Sequence, residues 1–309
     1  MIVDRRRRER IQRAVLDWFA GQARTFEFRG LTDPYAILVS EVILQQTQAG
    51  RGEPAWRSFM ARFPTVAVLA AASPADVLRQ WSGLGYNRRA VNLHRAAQAI
   101  VERHDGLVPD DLGALQALPG IGPYTARAVA AIAFGQAVGP VDTNVRRVLG
   151  RVVVGHGDRR DLGRALTATE VQALADDLVP RGHAADWTAA LMDIGATRCR
   201  PARADCTTCP LEGLCRYASE RDSDHRAPRA RARPAHRVAE PGSRYASTRR
   251  WLRGRIMVTL ADADDEAWVV IRGPIGDHDA ASVDRALDGL AAEGMAESDG
   301  RGRWRLPGS

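Results

Sequence analysis

Four cysteines fall within 17 residues, Cys199, Cys206, Cys209 and Cys215, in the pattern C-x6-C-x2-C-x5-C. Thiols this dense in a reducing compartment point to metal rather than to disulfides. Four thiolates suit structural zinc or a [4Fe–4S] cluster, although zinc ribbons usually pair two close knuckles and this run has one. Two carboxylates invite a different chemistry. Glu41 lies among Val39, Val42, Ile43 and Leu44, apolar surroundings that raise a carboxyl's pKa and keep it protonated as a general acid. Asp142 follows Val138-Gly139-Pro140-Val141 and is expected to stay ionised, whether or not it also caps the helix that starts near Asn144. Two acids in divergent environments are the usual means of cleaving a glycosidic bond. A third feature is Leu118-Pro119-Gly120-Ile121-Gly122-Pro123-Tyr124-Thr125-Ala126. Its glycines let backbone N–H groups approach a ligand, and a helix opening on proline presents an anion site. Such a hairpin between helices grips a nucleic-acid phosphate without reading sequence.

These residues need helices to hold them. Asp33-Pro34 reads as an N-cap followed by proline at the first helical position, and it opens a helix through about Gln48 that carries Glu41. Ser73-Pro74 repeats the signal ahead of Asp76–Trp81. Ile11–Phe19, Arg88–Arg103, Val129–Phe134, Thr169–Leu178 and Ala185–Gly195 also carry helical patterns. No run of alternating strands appears before Cys215. Residues 221–250 hold nine arginines against Asp222, Asp224 and Glu240, with much proline and alanine, and read as a linker. In the last 59 residues, Trp251–Leu260 and Ser282–Leu290 read as helices, and Asp299-Gly300 within Met295–Leu306 suggests a hairpin.

The composition sets outer limits. The 309 residues carry 44 basic and 37 acidic side chains, and every basic one is arginine. Without lysine, no mechanism through a lysine Schiff base is available. A net charge of +7 fits a nucleic-acid partner. There is no stretch of 18 apolar residues and no secretory h-region, so the expectation is a cytoplasmic, nucleoid-associated protein without membrane contact.

From about residue 11 to residue 217 the chain resembles the helix–hairpin–helix (endonuclease III-like) glycosylase superfamily, and it looks most like MutY-type adenine DNA glycosylases. The segments that carry this are Ser40-Glu41-Val42-Ile43-Leu44-Gln45-Gln46-Thr47-Gln48, Gly83-Leu84-Gly85-Tyr86, the hairpin, Val141-Asp142-Thr143-Asn144-Val145-Arg146-Arg147-Val148-Leu149, and the cysteine spacing. The resemblance implies an all-α, two-lobed helix–hairpin–helix DNA glycosylase fold with an iron–sulfur cluster loop, plus a small C-terminal α/β module of winged-helix type. The expected domains are a core at 1–217 with its cluster loop at 199–215, a linker at 218–250 and the module at 251–309.

The resemblance also assigns roles. Glu41, Asp142, Tyr124 and Asn144 become catalytic. Arg29, Gln46, Thr47, Tyr86, Gly120 and Gly122 become DNA-binding, with Gln46 and Tyr86 filling the gap left by a flipped nucleotide. The four cysteines become ligands of a [4Fe–4S] cluster. Tyr124 occupies the hairpin position where strand-cleaving members carry lysine. The implied activity is therefore a monofunctional glycosylase of base excision repair, a monomer acting on double-stranded DNA with adenine mispaired with 8-oxoguanine or guanine. A mismatch-specific thymine or uracil glycosylase of the same superfamily is the rival reading, and a non-catalytic damage-binding protein is another.

The chain departs from the family pattern in places. Phe28 stands where tryptophan is usual, although Arg29 is kept; Thr143 replaces glycine, and Ala189 replaces an acid or amide. The last 59 residues are too few for the pyrophosphohydrolase-like domain that commonly follows the core. Recognition of the opposite base is then expected from the core or from the small module.

Overall fold

The computed structural model describes residues 3–155, 166–224, 245–264 and 267–308. Fourteen α-helices and three short strands are found among them. In chain order the helices are α1 (Arg5–Gln22), α2 (Pro34–Leu44), α3 (Ala49–Arg62), α4 (Val66–Ala71), α5 (Pro74–Gln80), α6 (Arg88–Arg103), α7 (Leu112–Ala117), α8 (Pro123–Ala133), α9 (Thr143–Val153), α10 (Ala168–Leu178), α11 (Ala184–Thr197), α12 (Arg216–Asp224), α13 (Arg249–Ala261) and α14 (Ala280–Ala292). The all-α core expected from the sequence is present. No helix among the described residues is long and apolar enough to cross a membrane.

The described residues fall into two compact units. The first draws on Met1–Glu41, Asp110–Gln116 and Ile121–Ala232, the second on Val42–Pro109, Ala117–Gly120 and Arg233–Ser309.

In the first unit, α11 is the axis, with α1, α8 and α9 packed against it. Its Trp187, Ala190, Leu191 and Ile194 are buried with Ile11 and Val15 of α1 and Val145, Val148 and Val152 of α9. The helices are started by side-chain caps. The Asp142 carboxylate accepts from the Val145 amide, and Thr167 forms a reciprocal capping box with Glu170 at α10. One difference from the sequence reading lies here. Residues 216–224 form α12, where the compositional shift suggested a linker from residue 218. Ala218 is buried, α12 packs on α9, and the Arg151 guanidinium lies 4.6 Å from the Tyr217 ring centroid. The Arg- and Asp-rich sequence hides a helix that rests on one small apolar face. Residues 225–244, most of the expected linker, lie outside the described residues.

In the second unit, α4 and α5 pack on α6, α3 packs on α5, and α13 packs on both α5 and α14. Ser73 caps α5 by accepting from the Asp76 amide, with Pro74 at the first position. The C-terminal elements run α13, β1 (Val269–Val270), α14, β2 (Glu297–Ser298) and β3 (Arg303–Arg305). Both outer strands pair antiparallel with β3, in the order β1-β3-β2. The hairpin around Asp299-Gly300 was legible in the sequence, but β1 was not, because a two-residue strand carries no periodicity.

Candidate active site

The first unit brings together the four side chains that the sequence marks as catalytic. Glu41 sits near the end of α2, Tyr124 in the first turn of α8, and Asp142 and Asn144 at the start of α9. All four are partly accessible, as groups that must meet a ligand have to be. Burial pushes the Glu41 carboxyl up to about 7; a hydrogen bond from the Tyr124 hydroxyl acts against that rise, and the nearby Asp142 charge adds to it. The Tyr124 hydroxyl is itself raised well above its ordinary value, first by burial and then by the charges of Glu41 and Asp142. It therefore remains a neutral donor between two acids.

Asp142 is held as a carboxylate by two donors. The Val145 amide reaches Oδ1 at 2.7 Å, and the Asn144 amide reaches Oδ2 at 2.8 Å. Capping the helix and presenting a charge are thus one arrangement, since the cap fixes the carboxylate's direction. Asn144 is oriented in turn. Its Oδ1 accepts from Arg147 Nη2 at 2.8 Å, and the same nitrogen donates to the Gly195 carbonyl at 2.9 Å. Arg147 Nε donates to the Cys199 carbonyl at 2.6 Å. Only glycine fits at 195, because a Cβ there would stand 2.7 Å from Asn144 Cβ. Arg147 is a functional residue that the sequence reading passed over; it lies one helical turn beyond Thr143 on the same helix.

The cysteines form a second centre in this unit. Cys199, Cys206, Cys209 and Cys215 all line one cavity with about 350 Å³ of atom-free space. Burial pushes the Cys209 thiol up to about 12, and the proximity of the other three thiols adds to the rise. No three His, Cys, Asp or Glu side chains among the described residues are close enough together to hold a single ion. Arg151 lies against the group, 3.4 Å from Cys199 Sγ, and donates to the carbonyls of Arg200 and Pro201.

Arg29 is placed otherwise than a DNA-contacting reading suggests. Its two terminal nitrogens bind the Asp193 carboxylate at 2.6 and 2.7 Å, and Arg24 Nε binds it at 2.7 Å. Asp193 is fully buried. Burial raises its pKa, but hydrogen bonds from Arg29 and Arg24 outweigh burial and leave it below the usual range. The pair fixes the segment that holds Phe26 stacked on Phe28, with ring centroids 5.0 Å apart.

The second unit holds Gln46, Thr47 and Tyr86. Gln46, Tyr86 and Asp105 are the non-glycine residues with positive φ, and the first two are those that the sequence assigns to gap filling. Strained backbone of this kind persists only where its surroundings impose it. Arg89 imposes it here. Its Nη1 donates to the carbonyls of Val42 at 3.0 Å, Ile43 at 2.9 Å and Gln45 at 2.5 Å, ending α2 four residues earlier than the sequence suggests. Nη2 reaches the Gly85 carbonyl at 3.1 Å. One guanidinium thus supports both strained loops from behind, and Thr47 also contributes its hydroxyl oxygen to that guanidinium. Burial lowers Arg89 to about 10. Nothing in the Gly-Leu-Gly-Tyr run announces this support, because its donor lies three residues beyond Tyr86.

The hairpin glycines differ in kind. Gly120 has φ +76°, and a Cβ there would stand 2.5 Å from Asn92 Cβ, so both strain and space require glycine. Gly122 caps α8 from an ordinary extended conformation with no side-chain hydrogen bond. The following Pro123 starts the helix without an N–H.

Comparison with known proteins agrees with this geometry. Residues 39–173 match the model of the HhH-GPD superfamily base excision DNA repair proteins. A solved structure of a thermostable thymine-DNA glycosylase is 29% identical with TM-score 0.63, over 70% of this chain and 98% of that one. An adenine DNA glycosylase of Mycolicibacterium smegmatis is 40% identical over 95% of both chains. One from Homo sapiens is also 40% identical, over 66% of this chain and 38% of its own length. The chain belongs to the adenine DNA glycosylase family of the HhH-GPD superfamily.

Proposed function

We propose that this protein hydrolyses the N-glycosidic bond of adenine mispaired with 8-oxoguanine or guanine in double-stranded DNA, and leaves the strand intact. The observation that carries this is the recess of Glu41, Tyr124 and Asp142, two carboxylates of opposite protonation preference with a neutral hydroxyl between them. With its pKa near 7, Glu41 is protonated in an appreciable fraction at neutral pH and can donate that proton to a ring nitrogen of adenine. The C1′–N9 bond then breaks heterolytically, its electron pair staying with the neutral base. Asp142, fixed by the Val145 and Asn144 amides, faces the positive charge that develops on the sugar. Water adds at C1′ and gives up a proton to a carboxylate, which closes the cycle.

Tyr124 stands where a strand-cleaving member would need an amine, and the chain has no lysine to supply one. The flipped nucleotide leaves a gap in the duplex that Gln46 and Tyr86 fill. Gly120, Gly122 and the start of α8 hold a phosphate, and Arg29 acts through the segment it fixes.

The cysteine cavity fits a [4Fe–4S] cluster ligated by Cys199, Cys206, Cys209 and Cys215. The four donors are thiols, they line one cavity, and they stand too far apart for a single ion. When bound, the cluster ties the loop covalently to the end of α11. From that loop the Cys199 carbonyl accepts the Arg147 hydrogen bond, and Arg147 sets Asn144.

The likeness to a thymine-DNA glycosylase supports a second reading, in which the excised base is a mispaired thymine or uracil. Single-turnover release from A:8-oxoG, A:G, T:G and U:G duplexes separates the two. Release of adenine alone is expected, and release from T:G or U:G without adenine would overturn the proposal.

A further inference from the structure

One groove in the second unit is not needed for the chemistry above. It holds about 1670 Å³ of atom-free space, open to solvent. The Gly83–Tyr86 turn with Gln46 and Arg51 forms one side, and Arg249, Arg250 and Arg253 of α13 form the other. Six arginines line it, and Glu293 is its one acid. Arg89 is occupied behind the loops, and Arg253 pairs with Glu293 at 2.9 Å. Arg88, Arg249 and Arg250 take part in no ion pair among the described residues.

The cations are crowded rather than dispersed. Arg249 and Arg253 lie one turn apart on α13, with both guanidiniums against Gly289 of α14. A Cβ at 289 would stand 3.1 Å from Arg253 Nη1 and 3.3 Å from Arg249 Nη2. Like charges at this spacing cost a helix a few tenths of a kcal/mol, about 0.2–0.5 per pair, so the helix's own stability does not account for them. Burial of Leu252, Ile256, Met257 and Leu260 holds α13 in place instead. Arg250 lies 4.0 Å from the Tyr86 ring centroid. Tyr86 is 41% exposed on a turn at φ +47°. An aromatic face beneath a cation, in a groove rich in unpaired arginine, is how proteins present stacking surface and charge to a nucleic-acid strand. An acidic peptide would use the charge but not the ring.

We propose that the C-terminal module supplies one wall of a DNA-strand groove. Backbone phosphates bind Arg88, Arg249 and Arg250, and a base takes the place of Arg250 on the Tyr86 ring. Residues 251–309 thereby hold a strand rather than take part in bond cleavage. The inference rests on the reading above only in taking DNA as the ligand.

The test is binding of a labelled duplex to the full-length protein across a salt series, read by fluorescence anisotropy. The duplex carries a non-hydrolysable 2′-fluoroadenosine opposite 8-oxoguanine. Arg249→Gln and Arg250→Gln should each weaken binding several-fold and lower the slope of log K against log [salt] by ~0.9, and the double variant by ~1.8. Arg301→Gln, in the hairpin loop away from the groove, is the matched control and should leave the slope unchanged. Thermal unfolding of each variant confirms that α13 stays docked. A slope unchanged in the double variant would overturn the groove, as would equal losses from Arg301→Gln or equal competition by polyglutamate. Excision by the parent protein is scored separately. A parent that binds with the expected slope but releases no adenine refutes the glycosylase reading and leaves the groove standing.

Discussion

The carboxylate recess and the arginine-lined loops solve opposite problems. In the recess, two acids are kept in different protonation states. Glu41 is lifted by burial, whereas Asp142 receives two hydrogen bonds from α9. In the loops, charge is plentiful and conformation is scarce. Gln46 and Tyr86 adopt backbone angles that cost about 1–3 kcal/mol each, and Arg89 holds them there by satisfying the carbonyls that those bends expose. A site that must move a proton is tuned by what surrounds the acid; a site that must enter a duplex is built by rigid backbone. Substitutions should therefore separate along the same line, rate in one region and affinity in the other.

The largest expected effects are on rate. Glu41→Gln keeps shape but cannot protonate adenine, and Asp142→Asn removes the charge facing the sugar cation. Each should slow single-turnover release by at least ~100-fold, while duplex affinity changes little. Glu41→Gln at the parent rate would remove the general acid, and with it the main chemical support for the glycosylase reading.

Arg89→Met comes next and tests the other half of the comparison. It leaves several carbonyls of Val42, Ile43, Gln45 and Gly85 without their donor, at a cost of roughly 1–3 kcal/mol for each buried group that finds no substitute. Thermal unfolding should fall by several degrees, and affinity for a mispaired duplex should drop more than for an undamaged one. Equal losses on both duplexes would mean that the loops do not act in gap filling.

Gly120→Ala should be smaller and selective. The new Cβ meets Asn92 in a left-handed turn, so the hairpin must shift. Affinity should weaken for all duplexes alike, because the hairpin contacts phosphate rather than sequence.

How much of this could be read beforehand depends on distance along the chain. The helices carrying the site were legible where a proline or capping residue opened them, as at Pro34, Pro74 and Pro123. Glu41, Asp142 and the cysteines announced themselves by residue type and spacing. What escaped notice acts across the fold. Arg89 ends a helix more than forty residues earlier in the chain, Arg147 reaches a carbonyl more than fifty residues ahead, and Arg29 finds Asp193 more than 160 residues on. In a chain whose 44 basic residues are all arginine, no local pattern separates those three from the solvated rest. Only burial and partners do so.

The smallest effect is the pH dependence, and it bears most directly on how the recess works. Glu41 must be protonated to act, and its pKa is raised to about 7. Single-turnover release should therefore be level below that value and fall as pH rises through it, approaching tenfold per unit once the acid is mostly ionised. The stability effect has the same sign. A carboxyl whose folded pKa lies above its unfolded one favours the fold below the unfolded value, and that contribution is lost as pH rises through about 7. Tyr124→Phe separates the causes. Burial raises the Glu41 pKa and the Tyr124 hydroxyl opposes it, so removing the hydroxyl should move the break in the profile to higher pH. A break displaced to lower pH would show that Tyr124 helps keep the acid protonated, and the division of labour between these two side chains would have to be reversed.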